Sequence, residues 1–241
     1  MSQDSRMVYI LLGCGSNAIA KTVLLPATVM CTRRILGFIK NPEAKGQTYL
    51  GRVDSLNVSI VSTGIGCPSA AIVLEALHSA GVKNIIRVDL VGSLKDYINI
   101  GDIVIADSAF KGDGTTPHYM EGEKVEADSE LTNLIVQKSR EYGKDFHIGS
   151  VWTTDVLFRQ TPELYKRAVE KGCIAIDMES SAIFTLGKIY NMRTAAIMVV
   201  SDKPITGRDI LEIEKTTELL QGLDDAIKIA LNTIKSLKEN V

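Results

Sequence analysis

Val82-Lys-Asn-Ile-Ile-Arg-Val-Asp-Leu-Val-Gly-Ser93 carries five aliphatic residues among the eight from 84 to 91 and then stops at Gly-Ser. A short apolar run bounded by turn formers is the pattern of a buried strand. Upstream, residues 68–79 read as a helix, with Pro68 suited to a first turn and Gly81 closing it. Further back, residues 47–53 and 57–62 read as two strands around Asp54-Ser55, a hairpin. Residues 8–12, Val-Tyr-Ile-Leu-Leu, read as a buried strand that ends at Gly13-Cys-Gly15. Downstream, strand patterns at 102–106, 147–152 and 193–200 alternate with helix patterns at 129–142, 162–171 and 180–190. A terminal helix is expected over about 210–237, with a break near Gly222. Alternation of this kind predicts α/β layering, and the hairpin makes the sheet mixed. Residues 111–127 are rich in turn formers and charge, the expected mobile loop.

The bulk numbers narrow the function. The chain has 241 residues, 45% of them apolar, which suits one large domain over 1–241. The formal net charge of -2 lacks the basic excess expected of a nucleic-acid binder. No stretch reaches membrane-spanning length, and residues 8–12 are too short for a signal segment. Cys14, Cys31, Cys67 and Cys173 show no CxxC spacing, so reduced cysteines in a cytoplasmic protein are expected. His78, His118 and His147 have no metal-ligand spacing, and no metal site is expected. His118 sits on the presumed loop as a candidate ligand contact.

Chemistry-bearing residues gather at the ends of the expected strands. They fall at Gly13-Cys-Gly-Ser-Asn17, Thr63-Gly-Ile-Gly66, Gly92-Ser93, Thr153-Thr-Asp155 and Ser201-Asp202. In open α/β sheets ligands bind at that edge. Gly13-x-Gly15 is neither a dinucleotide nor a P-loop motif, and a tight turn explains it as well. Arg87 lies inside a strand, where a charge needs a partner or a ligand. It reads as an ion pair with Asp89 or another strand, or as an anion-binding arginine. Asp177-Met-Glu-Ser180 opens a helix, so capping explains its acids, and sugar-hydroxyl binding is the other reading. Asp202 is a turn aspartate or a general acid at a strand end.

Taken in order, several of these segments resemble the nucleoside phosphorylase family. They are Ser62-Thr-Gly-Ile-Gly-Cys-Pro-Ser69, Val82–Val88 with Gly92-Ser93, Ile98-Asn-Ile-Gly-Asp-Ile-Val104, Ala175-Ile-Asp-Met-Glu-Ser-Ser-Ala182 and Val199-Val-Ser-Asp202. The family covers purine nucleoside, methylthioadenosine and uridine phosphorylases and related nucleosidases. The resemblance implies a three-layer α/β/α fold with a mixed, partly barrel-like central sheet. It also implies a homo-oligomer, a trimer or a hexamer built as a trimer of dimers.

The resemblance further implies roles. Glu179 would bind the ribose hydroxyls, with Met178 and Ile65 against the sugar. Asp202 would act on the leaving base, and Leu157, Phe158 and Ser201 would contact that base. Arg87 and Gly13 would hold phosphate, with Asn17 at a position where the family carries arginine. Arg34 would reach across from a neighbouring subunit, with Arg33 and Lys40 as other candidates. Inorganic phosphate is the co-substrate, and no cofactor is expected. The implied reaction is reversible phosphorolysis of a purine nucleoside or methylthioadenosine to free base and ribose 1-phosphate. The alternatives are a uridine phosphorylase, a phosphate-independent nucleosidase and a nucleoside-binding protein with weakened turnover. The departures lie in the phosphate half. Asp89-Leu90 stands where the family reads Gly-Thr or Gly-Ser, and Asp89 brings negative charge toward an anion site.

Overall fold

A computed structural model of the chain describes residues 3–206 and 216–237. In order, the first half contains α1 (Gln3–Leu12), β1 (Thr22–Leu24), α2 (Val29–Leu36), β2 (Lys40–Lys45), β3 (Thr48–Val53), β4 (Leu56–Val61), α3 (Cys67–Ser79) and β5 (Asn84–Ser93). The second contains β6 (Ile103–Gly112), β7 (Lys124–Glu126), α4 (Ser129–Tyr142), β8 (Phe146–Thr154), α5 (Pro162–Glu170), β9 (Ala175–Asp177), α6 (Ser180–Ile189), β10 (Arg193–Asp202) and α7 (Thr217–Ser236).

The strands form one mixed sheet in the order β10-β6-β8-β9-β5-β1-β4-β3-β2, with β7 on β6. Because β10 also pairs with β5, the strands β10, β6, β8, β9 and β5 close into a ring. That ring is the barrel-like part of the sheet, and β1 to β4 form a wing off β5. β5 sits where ring and wing meet. It runs parallel to β1 and β10, and its last residues pair antiparallel with β9. Such a strand has no solvated face, so its sequence is an apolar run and not an alternating one.

Helices cover both sides. Val8 and Leu12 of α1, Leu74 and Leu77 of α3, and Ile183 and Phe184 of α6 share one core cluster with Ile85 and Val91. Ile35 of α2, Leu131 and Ile135 of α4, and Leu223 and Ile227 of α7 share the other with Ile86 and Val88. Successive strand side chains point to opposite faces, so β5 feeds both layers. The expected α/β/α arrangement is the observed one.

Some expectations need correction. Residues 8–12 are the end of α1 and not a strand. Val8 and Leu12, four apart, are buried, whereas Tyr9 and Ile10 are exposed, which is helical and not alternating burial. The first strand is instead Thr22–Leu24, followed by Leu25-Pro26. β6 runs on to Gly112, well past residue 106. The expected mobile loop is tied down through β7 and Asp113, which accepts hydrogen bonds from Thr115 N, Thr116 N, Thr116 Oγ1 and Ser181 Oγ. The proposed helix start at 210–215 lies outside the described residues. Gly222 does not break α7. It lets the helix approach the chain before β6, where an added Cβ would lie 2.2 Å from the Gly101 carbonyl oxygen and 2.9 Å from Val199 Cγ1.

That contact predicts the effect of Gly222→Ala. Forcing a methyl against backbone destabilises by about 1–3 kcal/mol, although alanine is the better helix former. The midpoint of thermal unfolding is expected to fall. A midpoint that rises, as helix propensity alone would demand, would show that the α7 packing is looser than described.

Candidate active site

The strands β1, β4, β5, β8, β9 and β10 end around one cavity. Its walls are Ala27 and Thr28 after β1, Ile65 after β4, Arg87 and Asp89 to Gly92 of β5, Leu157 and Gln160 after β8, Ile176 to Glu179 at the end of β9, and Ser201 with Asp202.

The floor is built on Arg87, only 2% exposed. Its Nη1 donates to Asp177 Oδ2 and, at 2.8 Å, to Ser180 Oγ. Its Nη2 donates to Glu179 Oε2 at 2.5 Å and lies 3.6 Å from Asp89 Oδ2. Each carboxylate has further anchors. Asp177 accepts from Thr153 Oγ1 at 2.7 Å and from the Ser180 N–H at 2.9 Å, which also caps α6. Glu179 Oε1 accepts from the Gly66 N–H at 2.8 Å, and Asp89 Oδ2 from the Ala27 N–H at 2.7 Å. The ion-pair reading of Arg87 is the observed one, with Asp177 and Glu179 as its nearest partners, and the side chain also lines the cavity.

The electrostatics follow from burial. Desolvation pushes the Glu179 carboxyl up to about 7; Arg87 opposes the shift, while Asp89 and Asp177 add to it. Burial alone would lower Arg87, but Asp177, Glu179 and Asp89 outweigh it and hold the guanidinium above its usual value. Behind the cavity, burial would raise Asp113, but its hydrogen bonds hold it below the usual carboxylate range.

Asp202 reaches the cavity through an irregular register. Val200 pairs with Val91 but Asp202 with Gly92, so Ser201 is extra on β10. A bulge of this kind re-aims the side chain beside it. Ser201 Oγ donates to Asp202 Oδ1 at 2.6 Å. A Cβ at residue 92 would lie 3.1 Å from Asp202 Oδ2 and 3.0 Å from Ile176 Cγ2, so glycine there leaves room for the carboxylate. The Cys67 thiol donates to the Met178 carbonyl at 3.3 Å and ties the segment before Glu179 to α3.

Of the residues singled out in the sequence, Ile65, Arg87, Leu157, Met178, Glu179, Ser201 and Asp202 share this cavity. Four do not. Gly13 follows a helix, its N–H closes that helix on the Tyr9 carbonyl, and it packs against Gly46. Asn17 is in an exposed 3-10 turn. Arg34 forks onto Asp224 at 2.5 and 2.7 Å and lines a separate hollow with Val29 and Met30. Phe158 is 70% exposed and lies outside the lining. His118 is also exposed and outside it. The Ala27-Thr28 loop is the part sequence reasoning missed. Its signal is Thr22-Val-Leu-Leu-Pro26, a β-branched and aliphatic run cut by proline.

A three-layer α/β/α fold with a partly closed mixed sheet, and acids at its strand ends, defines the class; comparison with known proteins then places the chain. Residues 28–234 match the family model described as Phosphorylase superfamily. The purine nucleoside phosphorylase DeoD-type of Clostridium novyi (strain NT) is 30% identical over 228 residues, 91% of this chain and 98% of the relative. The protein of the same name from Caldanaerobacter subterraneus subsp. tengcongensis is 32% identical over 229 residues, 91% of this chain and 97% of the relative. The crystal structure of uridine phosphorylase from Vibrio fischeri ES114 shares the fold, with a TM-score of 0.82 at 24% identity, covering 91% and 94% of the two chains. This chain belongs to the phosphorylase superfamily.

The buried ion cluster predicts that Arg87→Met is costly. It leaves Asp89, Asp177 and Glu179 without their shared cation, a loss of about 3–5 kcal/mol when one partner of a buried pair is removed. Urea unfolding monitored by circular dichroism measures it. An unchanged midpoint would mean that the cluster contributes nothing to the fold.

Proposed function

We propose that this chain cleaves the N-glycosidic bond of a purine nucleoside or of methylthioadenosine and releases the free base. The observation that carries this reading is the meeting of Glu179 and Asp202 in one cavity. Breaking a C–N glycosidic bond leaves oxocarbenium character on the sugar and negative charge on the base. Glu179, anchored by Gly66 and Arg87, retains lone pairs that accept hydrogen bonds from ribose hydroxyls, and its charge favours the cationic sugar. Asp202, aimed by the bulge, hands a proton or a hydrogen bond to the leaving base. Met178 and Ile65 supply apolar contact for the sugar, and Leu157 and Ser201 surround the base.

In the first reading the acceptor is inorganic phosphate, the product is ribose 1-phosphate and no further cofactor takes part. Membership of the superfamily and the names of the purine nucleoside phosphorylase relatives support it. Purine is favoured over uridine because Asp202, placed to protonate a leaving base, lines the cavity. A second reading, with water as acceptor, is favoured by one observation: both terminal nitrogens of Arg87 are already engaged by carboxylates. A homo-oligomer, trimeric or hexameric, is part of the proposal. The neighbouring helices α1 and α3 expose Tyr9, Ile10 and Ile72, which supports a covering partner. A cytoplasmic setting is supported by the four cysteines, all buried and unpaired with one another.

Base release from inosine, adenosine, methylthioadenosine and uridine, each with and without phosphate, tests the reading. Purine release that falls by about 10²–10⁴-fold in Asp202→Ala, the usual worth of a general acid, is the expected result. Full activity in that variant would remove Asp202 from the mechanism. Nucleoside binding with no release would make the chain a binding protein.

The Glu179 shift carries its own sign. With its carboxyl raised to about 7, the group is neutral below that pH and an acceptor-only anion above it. kcat/KM, which reports the free enzyme, is therefore expected to rise as pH increases through about 7. Glu179→Gln is expected to flatten that limb. A limb that persists unchanged in the variant would belong to another group.

A further inference from the structure

We propose that Asp89 occupies the anion position of this cavity and makes water, not inorganic phosphate, the acceptor of the cleaved sugar. The proposal rests on the glycosidic cleavage proposed above and assigns its acceptor.

The first argument is that the donors suited to an anion are already taken. The Ala27 N–H, in the loop at the end of β1, points at Asp89 Oδ2 at 2.7 Å. The terminal nitrogens of Arg87 hold Asp177 and Glu179. Among the described residues, Arg87 is the one cationic side chain lining the cavity. With Asp202 protonated as the acid of the reaction, the carboxylates of Asp89 and Asp177 still outnumber that cation, and a phosphate ion entering there meets charge of its own sign.

The second argument comes from two atoms left over. Arg87 Nε and Asp89 Oδ1 are buried and have no hydrogen-bond partner among the described residues. Arg87 and Asp89 are two apart on β5, so both face the same side of the sheet. Buried polar groups without partners are rare, and a catalytic role or a bound water is among the reasons for one. One of these atoms donates and the other accepts. A water admitted beside either would satisfy it, because water accepts and donates. An anion satisfies the donor but sets a second negative charge against Asp89.

The step balances as a hydrolysis. The water oxygen bonds to the anomeric carbon as the C–N bond breaks, and the bonding pair leaves with the base. The water's proton passes to Asp89, and the base takes a proton from Asp202. The products are free base and free sugar. Both aspartates return to their starting state by proton exchange with solvent. Two carboxylates dividing acid and base roles around a glycosidic bond is an established division of labour.

The test has two arms on the whole chain. In the first, inosine, adenosine and methylthioadenosine are cleaved in 18O-labelled water, with and without saturating inorganic phosphate. The expected result is a rate unchanged by phosphate and 18O in the released sugar. A rate that phosphate raises by about tenfold or more, one decade in transition-state stabilisation, with ribose 1-phosphate as product, overturns the proposal.

In the second arm, inorganic phosphate alone is titrated calorimetrically into the wild type, Asp89→Gly and Asp89→Asn. The expected result is no binding heat in the wild type and saturable binding in Asp89→Gly, which frees the Ala27 N–H. Asp89→Asn keeps the side-chain oxygen for Ala27, so it is expected to keep its fold and lose hydrolysis by about 10²-fold or more. Wild-type phosphate binding as tight as that of Asp89→Gly overturns the proposal even if no nucleoside turns over. Conversely, a chain that cleaves no nucleoside defeats the proposed function, while the phosphate titration still decides whether Asp89 holds the anion position.

Discussion

One guanidinium inside the sheet holds the site together. Arg87 lies on the strand where ring and wing join, and its side chain gathers Asp177 from the end of β9 and Glu179 from the start of α6. A buried charge is tolerated only when it is paired and hydrogen-bonded. That demand explains why the short strand β9 runs beside β5 and why Thr153 and Ser180 add hydroxyls to the cluster. It also explains the titration of Glu179. One cation shared among three carboxylates does not cancel their burial, and the Glu179 carboxyl rises.

The two acids that meet in the cavity arrive by different devices. Glu179 is fixed by electrostatics and by a backbone N–H from Gly66, at the left-handed turn that starts α3. Asp202 is fixed by covalent geometry: one extra residue in β10 turns its carboxylate inward over a glycine on the paired strand. Neither device tolerates much change in the ring, because β5 and β10 form adjacent walls of both the ring and the cavity. The same closure makes the cavity sensitive to a single side chain. Asp89 is on the strand that carries Arg87 and faces the same way, so its carboxylate enters the cavity directly.

Much of this was legible in the chain itself. The runs at Asn84–Ser93 and Arg193–Asp202 are too apolar for anything but covered strands, and the Gly-Ser and Ser-Asp stops mark where they end. Asp128 before α4 and Gly143 after it bound that helix by a cap and a left-handed residue. Arg87 stood out because a charge inside such a run requires a reason, whereas capping or a turn explains Glu179 and Asp202 locally and the family resemblance is what marked them. Residues 8–12 misled because five apolar residues suit a strand and a helix end equally well. The three-residue β1 was too short to register, and with it went the Ala27-Thr28 wall. Gly13 was placed in the site by the family resemblance alone; its local pattern, a tight turn, is what closes α1 against Gly46.

The sequence by itself determined which segments are buried, where each stops and which residues carry charge into apolar surroundings. These are local properties, set by side-chain volume, hydrogen-bonding capacity and the periods of helix and strand. Only the tertiary structure decided that β10 closes on β5, that Asp177 and Glu179 share Arg87, and that Asp89 takes the Ala27 N–H. Those are pairings between residues far apart in the chain, chosen by the packing of whole layers and by the need of each buried charge for a partner. No local pattern encodes the identity of that partner.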